Sequence, residues 1–157
     1  MPRLDATRLT AWRELQSIVS DVARAIDDDV RSEWAVPLGS FEVLAALRDL
    51  GGLARPIDVA AAMRIPPSSL SRRLDRLEEE GWVARHRNVD PDDHRAVDVE
   101  LTPRGRALWR EMNITFRRSV QERFAARLTD DQIAAVTALN SVLGTVADDE
   151  LVDDGAG

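Results

Sequence analysis

Leu9, Trp12, Leu15, Val19, Val22, Ile26 and Val30 recur every three or four residues, which predicts one amphipathic helix from about Thr7 to Trp34. At about 1.5 Å per residue it would reach roughly 40 Å, more than a small domain covers alone, so a partner helix is expected on its apolar face. Pro37 marks the start of a second helix with Phe41, Val43, Leu44 and Leu47 on one side, and Gly51-Gly52 stops it. Pro56 opens a third, short helix carrying Ile57, Val59, Ala60 and Met63. Pro66-Pro67 turns the chain into a fourth, which ends at Gly81.

The period then changes. Val97, Val99 and Leu101 alternate with Asp98 and Glu100, as in a half-buried strand, and Val83 to Arg87 supplies an antiparallel partner across a loop from Asn88 to Arg95. Thr102-Pro103 reads as N-cap and first residue of a fifth helix bearing Leu108, Met112, Phe116, Val120, Phe124 and Leu128. Thr129-Asp130-Asp131-Gln132 is a capping box for a last helix with Ile133, Val136, Leu139, Leu143 and Val146. The expected fold is mainly α with a small β-hairpin wing: a winged helix-turn-helix lobe over 37–106 on a helical dimerisation region formed by 1–36 and 107–147. An acidic, disordered tail is expected over 148–157.

The 157 residues carry a formal net charge of −7, which at first argues against a nucleic-acid partner. The deficit lies in the flanks. Residues 55–106 hold ten Arg and ten Asp or Glu, whereas 1–54 carry −3 and 107–157 carry −4. A locally basic face on an acidic protein lowers nonspecific DNA affinity without forbidding specific binding. All 21 basic residues are Arg, which codon bias explains more simply than function. There is no Cys, so disulfides, thiolate metal sites and thiol redox sensing are excluded; with only His86 and His94, no metal site or cofactor is expected. Two histidines and no Gly-rich phosphate loop leave no catalytic set, so an enzyme is not expected. Without a membrane-length apolar run or an apolar N-terminal segment, the expected location is the cytoplasm.

On the fourth helix, Ser69, Arg72, Arg73 and Arg76 share one face of a 100° wheel, while Leu70, Leu74 and Leu77 occupy another. Ser68, Ser69 and Ser71 are small enough for close approach to a groove, and the Arg fork grips guanine or phosphate. Glu78, Glu79 and Glu80 come only at the far end, so the leading end presents free N–H groups and a positive dipole. A solvated charged face with Arg76 paired to Glu80 is the competing reading. In the loop, Asp93 stands two residues before Arg95 and can hold its guanidinium for a narrow minor groove. Arg87 adds phosphate-reaching charge, and His94 reads as an exposed wing residue. Arg85 is open to two readings: a phosphate contact, or a structural partner of Asp93 or Asp90.

The run Leu74-Asp75-Arg76-Leu77-Glu78-Glu79-Glu80-Gly81-Trp82-Val83-Ala84-Arg85, followed by Asp90-Pro91-Asp92-Asp93-His94-Arg95 and Leu101-Thr102-Pro103-Arg104-Gly105, resembles the MarR family of bacterial transcription regulators. The resemblance implies a homodimeric repressor on a roughly palindromic operator in double-stranded DNA. The helix from Pro67 would be the recognition helix, and Arg95, braced by Asp93, would enter the minor groove. Pro66, where Ser or Thr is commoner, and Trp82, commonly a smaller aliphatic residue, depart from the pattern.

The same resemblance implies release of DNA by a small aromatic or anionic ligand in a cleft between the dimer body and the DNA-binding lobe. Trp12, Trp34 and Trp109 are candidates to line it. In a subgroup responding to urate-like ligands, Trp12, Glu42 and Arg76 would match a first-helix Trp, an acid early in the second helix and a lobe Arg, with Glu42 in place of the usual Asp. Core or interface anchoring is the competing role for the tryptophans. A regulator without an effector, or a winged helix used for protein–protein contact, is the alternative function.

Overall fold

The computed structural model describes residues 3–87 and 97–153, with side chains through Gly144. Six α-helices, three strands and one 3-10 turn follow in chain order: α1 (Ala6–Trp34), α2 (Leu38–Asp49), β1 (Leu53–Ala54), α3 (Pro56–Met63), α4 (Pro67–Glu79), β2 (Val83–Arg87), β3 (Val97–Leu101), α5 (Pro103–Arg123), the 3-10 turn Ala125–Arg127 and α6 (Asp130–Asp153). The chain divides into two compact units, 1–119 and 120–157.

The larger unit is built on the leucine stripe of α4. Leu70, Leu74 and Leu77 are buried against Val43, Leu44 and Leu47 of α2, Val59 and Ala60 of α3, and Val83, Val99 and Leu101 of the sheet. Each fully buried Leu contributes about 1.5–3 kcal/mol, so this stripe fixes which side of α4 faces outward. The sheet has order β1-β3-β2, antiparallel throughout, with Val83 opposite Leu101 and Arg87 opposite Val97. Its third strand is an addition to the expected hairpin: Leu53 pairs with Glu100 and Ala54 with Val99. Two residues are too few to show a period, so pairing with β3 alone makes them a strand.

Helix ends follow local chemistry. Thr102 Oγ1 accepts the Gly105 N–H at 3.0 Å, the N-cap bond its position predicts. At Thr129 the capping box closes both ways: Gln132 N–H donates to Thr129 Oγ1 at 3.3 Å, and Thr129 N–H donates to Gln132 Oε1 at 2.9 Å. Beyond α4, Gly81 takes φ +73° while Trp82 N–H donates back to Leu77 O at 2.9 Å, a left-handed helix stop. Pro37 offers no side-chain cap to α2, and Asp27 of α1 supplies one, its Oδ1 accepting Leu38 N–H at 2.7 Å.

Two ends differ from expectation. Helix α5 stops at Arg123, so Phe124 and Leu128 flank the 3-10 turn rather than lying on the helix. Helix α6 continues through Asp153, where a disordered tail from 148 is expected; no Gly or Pro stands between Ala147 and Asp153 to stop it.

A polar seam joins α1 to α5. Trp34 Nε1 donates to Thr115 Oγ1 at 2.9 Å, Thr115 Oγ1 donates to Glu33 Oε1 at 2.9 Å, and Arg118 reaches Glu33 Oε2 at 2.6 Å. Ser119 donates to Asp29 Oδ2 at 2.6 Å. Farther toward its N-terminus α1 loses its cover: Trp12, Ile18 and Val19 are 58–61% exposed, whereas Ile26 and Val30 are buried.

Candidate nucleic-acid interface

Burial of Leu70, Leu74 and Leu77 turns Ser68, Ser69, Ser71, Arg72 and Arg76 to solvent. No hydrogen bond or ion pair holds Arg72 or Arg76 among the described residues, and Arg76 makes no pair with Glu80. The first turn of α4 has no side-chain cap, because Pro66 stands at the N-cap and Pro67 at the first helical position. Pro67 has no N–H and the Ser69 N–H donates to Pro66 O at 3.0 Å, which leaves the Ser68 N–H of that turn, on the end that also carries the dipole's positive charge. The expected serine and arginine surface is present, with one member missing.

That member is Arg73. It borders the leucine stripe, one turn from Leu70, and bends back toward α2. Its Nη1 donates to Gly39 O at 3.2 Å and stands 3.8 Å from Glu42 Oε2. These contacts link α4 to α2, with the Arg73 side chain still about one-third exposed (34%). Burial raises the Glu42 carboxyl above its ordinary pKa; Arg73 opposes the shift and Asp27 adds to it.

Arg85 of β2 also differs from expectation. Its Nη1 donates to Glu78 Oε2 at 2.5 Å and its Nη2 to Asp75 Oδ1 at 2.7 Å, while Glu78 Oε1 accepts the Arg85 backbone N–H at 3.3 Å. Burial pulls the guanidinium pKa down, but these bonds outweigh it and leave a net rise. Among the described residues its partners are acids of α4, and the pairing clamps the first wing strand to the helix. Asp75 and Glu78, three apart on one helical face, were the sequence signal for this clamp. Arg87 is exposed at the end of β2. Asp90, Asp93, His94 and Arg95 lie outside the described residues.

The residues expected to line an effector cleft do not converge as one set. Glu42 and Arg76 line a cleft of about 610 Å³ between α1, α2 and α4, together with Arg24, Asp27, Arg31, Arg72 and Arg73. Arg24, Asp27 and Arg31 went unnoticed as a group, although their i, i+3, i+7 spacing places them on one face of α1. Trp12 is about three turns or more up α1 from this cleft, Trp34 bonds to Thr115, and Trp109 packs under Arg48 on the far side of α2. A second cleft, between α2, α3 and α5, is lined by Phe41, Glu42, Met63, Ile65, Arg73 and Phe116 among others.

A helix packed on two others, with an exposed Ser/Arg face and a wing strand clamped to it, is a winged helix-turn-helix lobe. The profile of the MarR family matches residues 36–96. The transcriptional regulator PecS of Dickeya dadantii is 34% identical over 109 residues, 68% of this chain and 64% of PecS. The multiple antibiotic resistance protein MarR of Salmonella typhimurium is 31% identical over 99 residues, 63% of this chain and 67% of that protein. The chain belongs to the MarR family. Among solved MarR structures, a mutant of the Escherichia coli protein complexed with operator DNA superposes with a TM-score of 0.77 at 25% identity, covering 90% of this chain and 99% of that one. The matched span takes in α2, α3, α4 and β2. No helix among the described residues is long and apolar enough to cross a membrane.

Proposed function

We propose that this MarR-family protein is a homodimeric transcription regulator that binds a pseudo-palindromic operator, with α4 in the major groove and the wing, through Arg95, in the neighbouring minor groove. The observation that carries the reading is the division of α4: three leucines buried on one side, and three serines with two unpaired arginines exposed on the other. Ser68, Ser69 and Ser71 permit close approach, Arg72 and Arg76 reach bases or phosphates, and Arg87 adds a phosphate contact. Operator DNA held by the E. coli relative supports the same partner here.

Dimerisation rests on the uncovered apolar residues. Trp12, Leu15, Ile18 and Val19 on α1 are exposed, as are Leu139, Val142 and Leu143 on α6. A run of this kind on a water-soluble chain marks an interface. Residues 1–36 and 107–147 supply the dimer body in this reading, and 37–106 the DNA-binding lobe.

The cleft holding Glu42, Arg72, Arg73 and Arg76 is where a small aromatic or anionic effector would act. An anion bound there competes with DNA for the arginines of α4, so occupancy releases the operator.

The test is fluorescence anisotropy with duplex DNA from the region upstream of the protein's own gene, at fixed salt, beside a scrambled duplex. Specific, saturable binding at two chains per site is expected. Equal affinity for both duplexes overturns the reading.

A further inference from the structure

A recess of about 320 Å³ lies away from the α4 surface, lined by Arg48, Leu101, Pro103, Arg106, Trp109 and Arg110. It stands where β3 runs into α5. None of the six lining residues belongs to the proposed DNA interface.

Every polar side chain in this lining is a donor. The Arg48 guanidinium lies over the Trp109 ring, 3.9 Å from its centroid, and is matched by the neighbouring Asp49, with Nε donating to Oδ1 at 2.8 Å. Arg106 and Arg110 are exposed, and their guanidiniums make no hydrogen bond or ion pair among the described residues. The Arg106 guanidinium occupies the space above Gly52, within 2.8 Å of where a Cβ would stand, so the absent side chain lets it lie against the β1 turn. The Trp109 indole N–H is buried with no acceptor, the sole such side-chain group among the described residues. A buried donor left unpaired is costly, and a site with donors and no acceptor favours an anion.

We propose that this recess binds a small organic anion carrying two oxyanion groups, carboxylate or phosphate. The charge count sets the number of groups: three guanidiniums less the one matched by Asp49 leaves two unanswered cations. Its volume is at the small end of the ~300–1,000 Å³ typical of ligand pockets, which suits a compact metabolite-sized molecule and excludes a peptide or nucleotide chain. Arg106 and Arg110 take one oxyanion each in forked hydrogen bonds. Arg48 holds the indole flat against the recess. The occupant bridges α2 and α5.

The inference stands apart from operator binding and is tested without DNA. Isothermal titration of the full-length protein is run with citrate, with 2,3-bisphosphoglycerate and with acetate. Saturable binding of citrate or the bisphosphate is expected, the tighter of the two naming the oxyanion class, with acetate at least tenfold weaker. The double substitution R106A/R110A, at exposed positions, weakens the better ligand about tenfold or more, while R72A/R76A in the α4 cleft leaves it unchanged. Failure of both polyanions to saturate, equal binding by R106A/R110A, or loss of binding in R72A/R76A overturns the proposal. Anisotropy with operator DNA on the same R106A/R110A protein reports separately on the DNA-binding reading, and unchanged affinity is expected there.

Discussion

Arg73 of α4 faces Glu42 of α2 across 3.8 Å, and this contact divides the arginines of one helix into two kinds. Arg72 and Arg76 are exposed with no side-chain partner among the described residues, while Arg73 holds α4 against the first turn of α2, which carries Gly39. Neighbours in sequence therefore do different work. The salt dependence of DNA binding separates them. Each of R72A and R76A lowers the slope of log affinity against log salt by about one per protomer if its guanidinium meets a phosphate. R73A leaves the slope unchanged and instead lowers the urea midpoint. A slope change in R73A equal to the other two would return it to the DNA surface.

Glu42 makes stability depend on pH in a definite direction. Burial lifts its native carboxyl above 4.5, so from there up to the native value the folded chain holds more of the proton than the unfolded chain. The stabilisation from the neutral form is complete below 4.5 and is lost as pH rises through the native value. E42Q flattens that decline in urea midpoints measured from pH 4 to 7. Because the side chain is half exposed, the effect is small.

Glu33 has the opposite sign. Thr115 and Arg118 donate to its carboxylate and hold it below 4.5, so its contribution is present above 4.5 and disappears as pH falls through the native value. Acid titration of E33Q by circular dichroism is expected to show a shallower loss on the acid side than the parent, with lower stability near neutrality. A parallel displacement at every pH would mean that the seam between α1 and α5 does not depend on this charge.

The Arg85 clamp predicts coupling between strand and helix. R85A costs about 1 kcal/mol, since its partners Asp75 and Glu78 are partly exposed. A double-mutant cycle with E78Q is expected to return about 0.5–1 kcal/mol of interaction, read from urea unfolding. Additive losses would show that the two residues meet without stabilising one another.

Gly105 is the tightest backbone approach in the lobe. A Cβ there would stand 2.0 Å from Trp82 O and 2.9 Å from Leu101 Cδ1. Because backbone cannot yield as a flexible side chain does, G105A costs about 3 kcal/mol and lowers the melting temperature by roughly 6–12 degrees. An unshifted melting curve would mean that α5 joins the sheet by another path.

The leucines of α4 show how far one-dimensional pattern reaches. Spacing alone put Leu70, Leu74 and Leu77 on the buried side, and burial then dictated that Ser69, Ser71, Arg72 and Arg76 face outward. Thr102 and the pair Thr129 and Gln132 were equally legible, because a cap is a contact across three residues. Such features are local: their partners lie within one turn, or are met by any apolar surface.

Long-range choices were not. Arg85 had carboxylates available on both sides in sequence, and only the packing of β2 on α4 selects Asp75 and Glu78. Arg73 shares a wheel face with Arg72 and Arg76, yet the approach of α2 supplies Gly39 O and Glu42 to turn it inward. The sequence groups Trp109 with Trp12 and Trp34, whereas α2 places Arg48 over its ring in a recess of its own. Periodicity specifies which face of an element is apolar; the partner of a charged side chain depends on which other element that face meets, and this is set by the joint burial of all the helices at once.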